Sequence, residues 1–169
     1  TFNGNRQNYA MLKVGGVRRD IVDAHTAYIL KRLDELLSKI DMLKGAVLDD
    51  PVLHARLKGV GILSKADAVD YSALGPVARA SGYDIDVRRD HPYAAYDRIK
   101  WKVVLQEAGD VFAKAVVRIL EMYESISIIR QCLDKMPDGP IDSNPKEIPA
   151  GEGIGVVEAP RGEVFHYIK

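Results

Sequence analysis

Cysteine is almost missing from this chain. One residue, Cys132, among 169 excludes an internal disulfide, a C-x-x-C metal site and an iron-sulfur cluster held by these residues alone. Its neighbours Ile128, Ile129 and Leu133 predict a small buried hydrophobe with an inert thiol. Net charge is missing too. The 24 lysines and arginines balance 24 aspartates and glutamates, so no basic field argues for nucleic acid. No apolar run approaches the roughly 18 residues of a membrane span. The opening TFNGNRQNYA has neither the charged start nor the apolar stretch of an export signal. Arg18-Arg19 follows a polar segment and leads into an amphipathic pattern, so it is no twin-arginine leader. The expectation is a cytoplasmic chain with no nucleic-acid partner and no direct membrane span. Chemical motifs are equally scarce. There is no G-x-G-x-x-G, no P-loop, no G-x-S-x-G elbow and no H-E-x-x-H, and the four histidines (His25, His54, His91, His166) lack the i, i+4 spacing of a helical metal pair. No metal ligand set is expected.

What is present is helical periodicity. With 47% hydrophobic residues the chain can bury one core, and the expectation is a single domain over 1–169. Residues 20–44 place Ile29, Leu33, Leu36, Ile40 and Leu43 on one stripe, with Asp20 as the cap and Lys44-Gly45 as the stop. Asp50-Pro51 opens a short helix that Gly59 and Gly61 end, and Ser64-Lys65-Ala66-Asp67 has the capping-box spacing of a third helix over about 65–72. From 110 to 136 the stripe returns through Phe112, Ala115, Ile119, Met122, Ile126, Ile129 and Leu133, and Pro137 stops it. The fold class that follows is mainly α: two long packed amphipathic helices plus short ones, with a small β component and a C-terminal β-hairpin.

Between these lie three arginine-bearing stretches: GGVRRD, DVRRDHPY and EAPRG. Residues 75–97 hold two prolines, two glycines and three tyrosines and read as a loop folded over a surface. Ile99, Trp101, Val103 and Leu105 alternate with polar or small neighbours and predict a short strand. Residues 137–155, dense in proline and glycine, read as an irregular connection. At the end, Ala159-Pro160-Arg161-Gly162 joins two alternating runs, which predicts a hairpin with the Arg161 guanidinium at its tip.

In order along the chain, NYAMLKVGGVRRD, LSKADAVDYSALGPVARASG, RRDHPYAAYD, SIIRQCLDKMPDGP and VEAPRGE resemble the large subunit of energy-converting, membrane-bound nickel-iron hydrogenases of the carbon-monoxide-induced type. Respiratory complex I has the same subunit. In these hydrogenases two C-x-x-C pairs, one near each end of the subunit, hold nickel and iron, and this sequence has neither. The resemblance therefore implies the middle of the subunit, with no cofactor bound by this piece and a nickel-iron centre in the whole. The implied whole is an oxidoreductase catalysing reversible H2 oxidation and proton reduction with a ferredoxin-like carrier. It would sit on the inner face of the cell membrane through partner subunits, among them a small iron-sulfur subunit.

The resemblance also assigns residues. The arginine of the A-P-R-G turn, Arg161 here, reaches over the metal centre in the hydrogenases, so Arg161 is the implied catalytic residue and Pro160-Arg161 the implied cofactor-facing pair. Loops carrying Arg18, Arg19, Arg79, Arg88, Arg89 and Tyr93 are expected to face the iron-sulfur partner or the metal cavity. Complex I relatives keep lysine or arginine at the turn, so it does not separate the branches, whereas EVFHYIK and GGVRRDI lean towards the hydrogenases. The alternatives are a quinone-reducing NADH:quinone oxidoreductase subunit and a non-catalytic scaffold that docks an iron-sulfur subunit.

Overall fold

The computed structural model describes residues 11–169. Residues 1–10, including the polar opening and the first letters of NYAMLKVGGVRRD, lie outside the described residues. A two-residue hairpin, β1 (Leu12–Lys13) and β2 (Gly16–Val17), leads into the first long helix, α1 (Asp23–Leu48). Asp20 is two residues too early to cap α1, whose N-cap is Val22; its carboxylate accepts from Ile21 N at 2.8 Å instead. The stop is also later than expected. Gly45 is carried inside the helix, where one glycine costs about 1 kcal/mol, and the half-buried Val47 and Leu48 prolong it towards Asp50-Pro51.

The next helices start where their caps predict. Asp50 accepts from Val52 N at 2.7 Å and Leu53 N at 3.1 Å to open α2 (Pro51–Leu57). Ser64 Oγ accepts from Asp67 N at 3.0 Å and donates to the Asp67 carboxylate at 2.7 Å to open α3 (Lys65–Asp70). Such caps are worth about 1 kcal/mol each. The second long helix, α6 (Val111–Asp134), is capped by Asp110, whose carboxylate takes Ala113 N at 2.7 Å and, across the fold, Gly59 N at 2.9 Å. That one buried side chain ties the start of α6 to the end of α2.

α1 and α6 pack antiparallel. Leu33 and Ile40 meet Ile126, flanked by Ile29, Leu37, Met122 and Tyr123. Two polar contacts set the register: Arg130 to Asp34 at 2.5 Å and Tyr123 OH to Asp41 at 2.6 Å, seven residues apart on both helices. The expected stripes are half right. Leu36 and Leu43 on α1 and Ile129 on α6 are exposed, while Ala113, Val116, Val117 and Ile128 are buried on a second face of α6. A helix with neighbours on two sides buries two stripes, and a single-stripe reading finds only one.

Residues 75–90 are not a surface loop, while 91–97, without helix or strand and largely exposed, keep the expected loop character. Residues 75–90 hold α4 (Gly75–Ala80) and α5 (Val87–Asp90), and Ala80 packs on Ala113 and Val117 with Val104 alongside. The small Ala80 lets the short helix approach α6 closely. Residues 99–105 form no strand among the described residues. Their backbone is held by side chains of α6: Lys100 N donates to Gln131 at 2.8 Å, Gln131 Nε2 donates to Lys100 O at 2.6 Å, and Lys102 N donates to Glu124 at 3.0 Å. Cys132 is exposed, against expectation. It lies near the end of α6, where Leu133 and Asp134 still line a cavity with Thr26 and Leu30 of α1, so the thiol sits on a side of the helix that this packing leaves open.

Candidate functional site

β3 (Gly153–Ala159) and β4 (Gly162–Ile168) pair antiparallel in unbroken register from Gly153↔Ile168 to Ala159↔Gly162. That leaves Pro160 and Arg161 as the whole turn, as the Pro-Arg-Gly triplet predicts. The hairpin does not project freely, because Gly162 lies against the first residue of α4. Gly75 has φ +68°, and a Cβ built there would stand 2.4 Å from Gly162 Cα and 2.6 Å from Arg161 O. A Cβ on Gly162 would stand 3.0 Å from Gly75 N. Two glycine backbones in direct contact thus seat the A-P-R-G turn on the GP-x-x-RASG helix.

Behind the turn lies an ion cluster. Arg79, one helical turn after Gly75, has a side chain only 1% exposed. Its Nη2 donates to Glu158 Oε1 at 2.9 Å and stands 2.7 Å from Glu121 Oε1; its Nη1 stands 3.2 Å from Asp86 Oδ2 and donates to Ile85 O at 3.3 Å. Asp86 is fully buried and also accepts from Arg88 Nε at 2.8 Å and Nη2 at 2.6 Å. Glu158 lies on β3, Glu121 on α6 and Asp86 at the cap of α5, so one guanidinium joins four elements. Tyr93 adds a fifth tie, its hydroxyl accepting from Glu158 N at 3.0 Å. A cavity of about 420 Å³ lies beside the cluster, lined in part by Glu121, Glu158 and Pro160.

The cluster holds two guanidiniums and three carboxylates, and the imbalance shows at Glu121. Burial, which outweighs the nearby Arg79, lifts its carboxyl above the ordinary glutamate value of 4.5. A carboxyl raised on folding binds its proton more tightly in the folded chain, so its contribution falls as pH rises above that ordinary value. Glu121→Gln is therefore expected to be at least as stable as the parent at pH 8, with the gap closing towards pH 4. Urea midpoints across that range test it. A variant losing stability equally at every pH would show that Glu121 acts only through its bonds to Arg79.

The sequence-identified residues fall into three groups. Arg161 and Pro160 stand exposed at the tip, and Arg161 makes no hydrogen bond or ion pair among the described residues. Arg79, Arg88 and Tyr93 converge behind it. Arg79 is a correction: it lies on a helix, buried, and not on a partner-facing loop. Arg89 pairs locally with Asp84 at 2.5 Å and Asp90 at 2.8 Å, and Arg18 and Arg19 are exposed on and after the β1–β2 hairpin with no tie to the turn. Gly75, Asp86, Glu121 and Glu158 were missed. Glu121 gave a signal, as a carboxylate between Leu120 and Met122 beside the apolar stripe. Among the described residues no group of three or more His, Cys, Asp or Glu side chains is placed to hold a metal ion.

Residues 1–148 match the family described as "Respiratory-chain NADH dehydrogenase, 49 Kd subunit". The chain belongs to that family. It is 45% identical over 168 residues to a carbon monoxide-induced hydrogenase of Rhodospirillum rubrum. Identity is 39% over 173 residues to an NADH-quinone oxidoreductase subunit of Herpetosiphon aurantiacus, and 37% over 166 residues to an F(420)H(2) dehydrogenase subunit of Methanosarcina mazei. Each match covers 98% of this chain but only 46%, 47% and 44% of the respective relative, so the chain spans about half the length of the curated relatives it matches. This chain is thus a segment of a 49 Kd-family subunit, similar both to a hydrogenase and to NADH-quinone oxidoreductase and F(420)H(2) dehydrogenase subunits. No helix among the described residues is long and apolar enough to cross a membrane.

Proposed function

We propose that the whole subunit containing these residues is the large subunit of an energy-converting nickel-iron hydrogenase. It oxidises H2 and reduces protons reversibly with a ferredoxin-like carrier, beside a small iron-sulfur subunit and a membrane module at the inner face of the cell membrane. The observation that carries the reading is Arg161, an unpaired guanidinium on a turn that two glycine backbones and a buried ion cluster hold in place. The 45% identity to a carbon monoxide-induced hydrogenase supports the same branch.

The described residues offer no ligand set, and the lone thiol is exposed, so a nickel-iron centre takes its ligands from other parts of the subunit. When bound, such a centre supplies the splitting of H2. This chain supplies a cation. Arginine stays protonated at any working pH and offers a planar fork of donors. With no partner among the described residues, Arg161 has those donors free to stabilise negative charge that develops in front of the turn. Because the turn is seated before any reaction begins, little reorganisation is needed at that moment.

In the purified complex, Arg161→Lys is expected to keep folding and nickel content but lower turnover by a factor on the order of ten or more. Lysine keeps the charge and loses the fork, and one positioned donor is worth about 2.7–4 kcal/mol when wholly removed. Parent-level turnover at unchanged nickel content would sink the reading. A second reading, quinone reduction in a complex I-type assembly, is favoured by the family description and by the NADH-quinone oxidoreductase relative. Quinone reduction without H2 uptake or evolution by the purified complex would establish it over the first.

A further inference from the structure

Residues 99–105 carry the alternation of a strand and have no strand beside them. The N–H groups of Lys100 and Lys102 both turn to α6, as does the Lys100 carbonyl. That two-residue repeat is the geometry of extended backbone, in which residues i and i+2 offer their polar groups to one edge and the residue between them to the other. The other edge belongs to Ile99, Trp101 and Val103. Their backbone N–H and C=O groups have no hydrogen-bond partner among the described residues.

A cavity of about 620 Å³ lies along this segment, bounded on its far side by Arg89, Pro92 and Tyr96. Trp101 is fixed within it, with the Arg88 guanidinium 4.7 Å from its ring centre and the Tyr96 ring edge-on at 5.9 Å. Charge in the cavity is uneven. Arg88 is neutralised by Asp86, and Arg89 by Asp84 and Asp90, whereas the ammonium groups of Lys100 and Lys102 meet no carboxylate among the described residues. Two residues apart on an extended chain, those lysines share one face.

We propose that residues 99–105 take up an extended acidic segment of a partner subunit by β-strand addition. Main-chain bonds from Trp101 and Val103 would give affinity, and carboxylates at alternate positions opposite Lys100 and Lys102 would select the partner. An unpaired, aromatic-backed edge suits an extended chain, and the two free ammonium groups specify its charge. The proposal requires only that the chain be one subunit of a larger assembly. It does not depend on the reaction that assembly runs.

Hydrogen exchange tests it in the purified complex against the same full subunit freed of partners. The Trp101 and Val103 amides are expected to exchange on the order of 100-fold more slowly in the complex. Lys100→Glu with Lys102→Glu should remove most of that protection at physiological salt, with the circular dichroism spectrum unchanged. Should the freed subunit not stay folded, Val103→p-benzoylphenylalanine in the complex is expected to photo-cross-link to an acidic stretch of another subunit. Equally fast amides in both states would overturn the proposal. So would protection already present in the freed subunit, protection indifferent to the charge reversal, or cross-links confined to the subunit's own chain or a second copy of it.

Discussion

Arg79→Met is expected to destabilise the chain by about 3–5 kcal/mol, the range for removing one partner of a buried ion pair. This is a large share of the roughly 5–15 kcal/mol that holds a typical domain folded, so the variant should unfold at a much lower urea concentration than the parent. The reason is electrostatic rather than steric, because methionine fills similar volume. It leaves Glu158, 7% exposed, and Glu121 without the cation that joins them, while the fully buried Asp86 keeps only Arg88. Uncompensated buried carboxylates must take up protons to remain inside, so the loss should be smaller at pH 5 than at pH 8. Urea denaturation at both pH values checks the magnitude and the sign. A loss under about 1 kcal/mol at pH 8 would mean that the cluster behaves like surface ion pairs.

Gly75→Ala is expected to cost about 2–5 kcal/mol and to unseat the turn that carries Arg161. Two terms add. The residue has φ +68°, a region where a Cβ costs about 1–2 kcal/mol. The new methyl would also sit 2.4 Å from Gly162 Cα and 2.6 Å from Arg161 O. Those are backbone atoms that cannot rotate away, and overpacking of this kind costs about 1–3 kcal/mol. The hairpin must then lift from α4 or the helix must shift. Lifting strains the Arg79–Glu158 bond and the Tyr93–Glu158 bond behind it. Thermal unfolding reads the stability, and reaction of Arg161 with an arginine-selective dicarbonyl reads the turn. Unchanged melting together with unchanged modification would show that the glycine contact seats nothing.

Much of this architecture was legible in the residues because its causes are local. Asp50-Pro51, Ser64-x-x-Asp67 and Asp110 open helices by hydrogen bonds that span three residues, and Pro137 follows a helix end by removing an N–H. The Pro-Arg-Gly turn is likewise decided within four residues. The order of the motif blocks carried the family, since GP-x-x-RASG, the P-Y-x-x-Y after it and VEAPRGE occur in sequence at long spacings. The long helices were found from their periodicity, and only their ends were misplaced, where caps are weakest.

Contacts between distant residues were not legible. Residues 75–97 looked like a solvated loop because arginine, aspartate and glycine are usually exposed. Residues 75–81, 86 and 87 are largely buried here because Arg79 finds its partners at Asp86, Glu121 and Glu158, up to 79 positions away. The strand expected at 99–105 is missing because among the described residues no second strand lies beside it, and α6 side chains took one edge of its backbone. Cys132 looked buried by its helical neighbours, yet its side of α6 is left open although α1 runs alongside. Sequence by itself therefore determined the two long helices, α2, α3, the turn under Arg161 and the family, all of which rest on neighbouring residues or their order. Only the tertiary structure decided which charges are buried together and that Gly75 touches Gly162, because burial and close approach are properties of residues brought together from far along the chain.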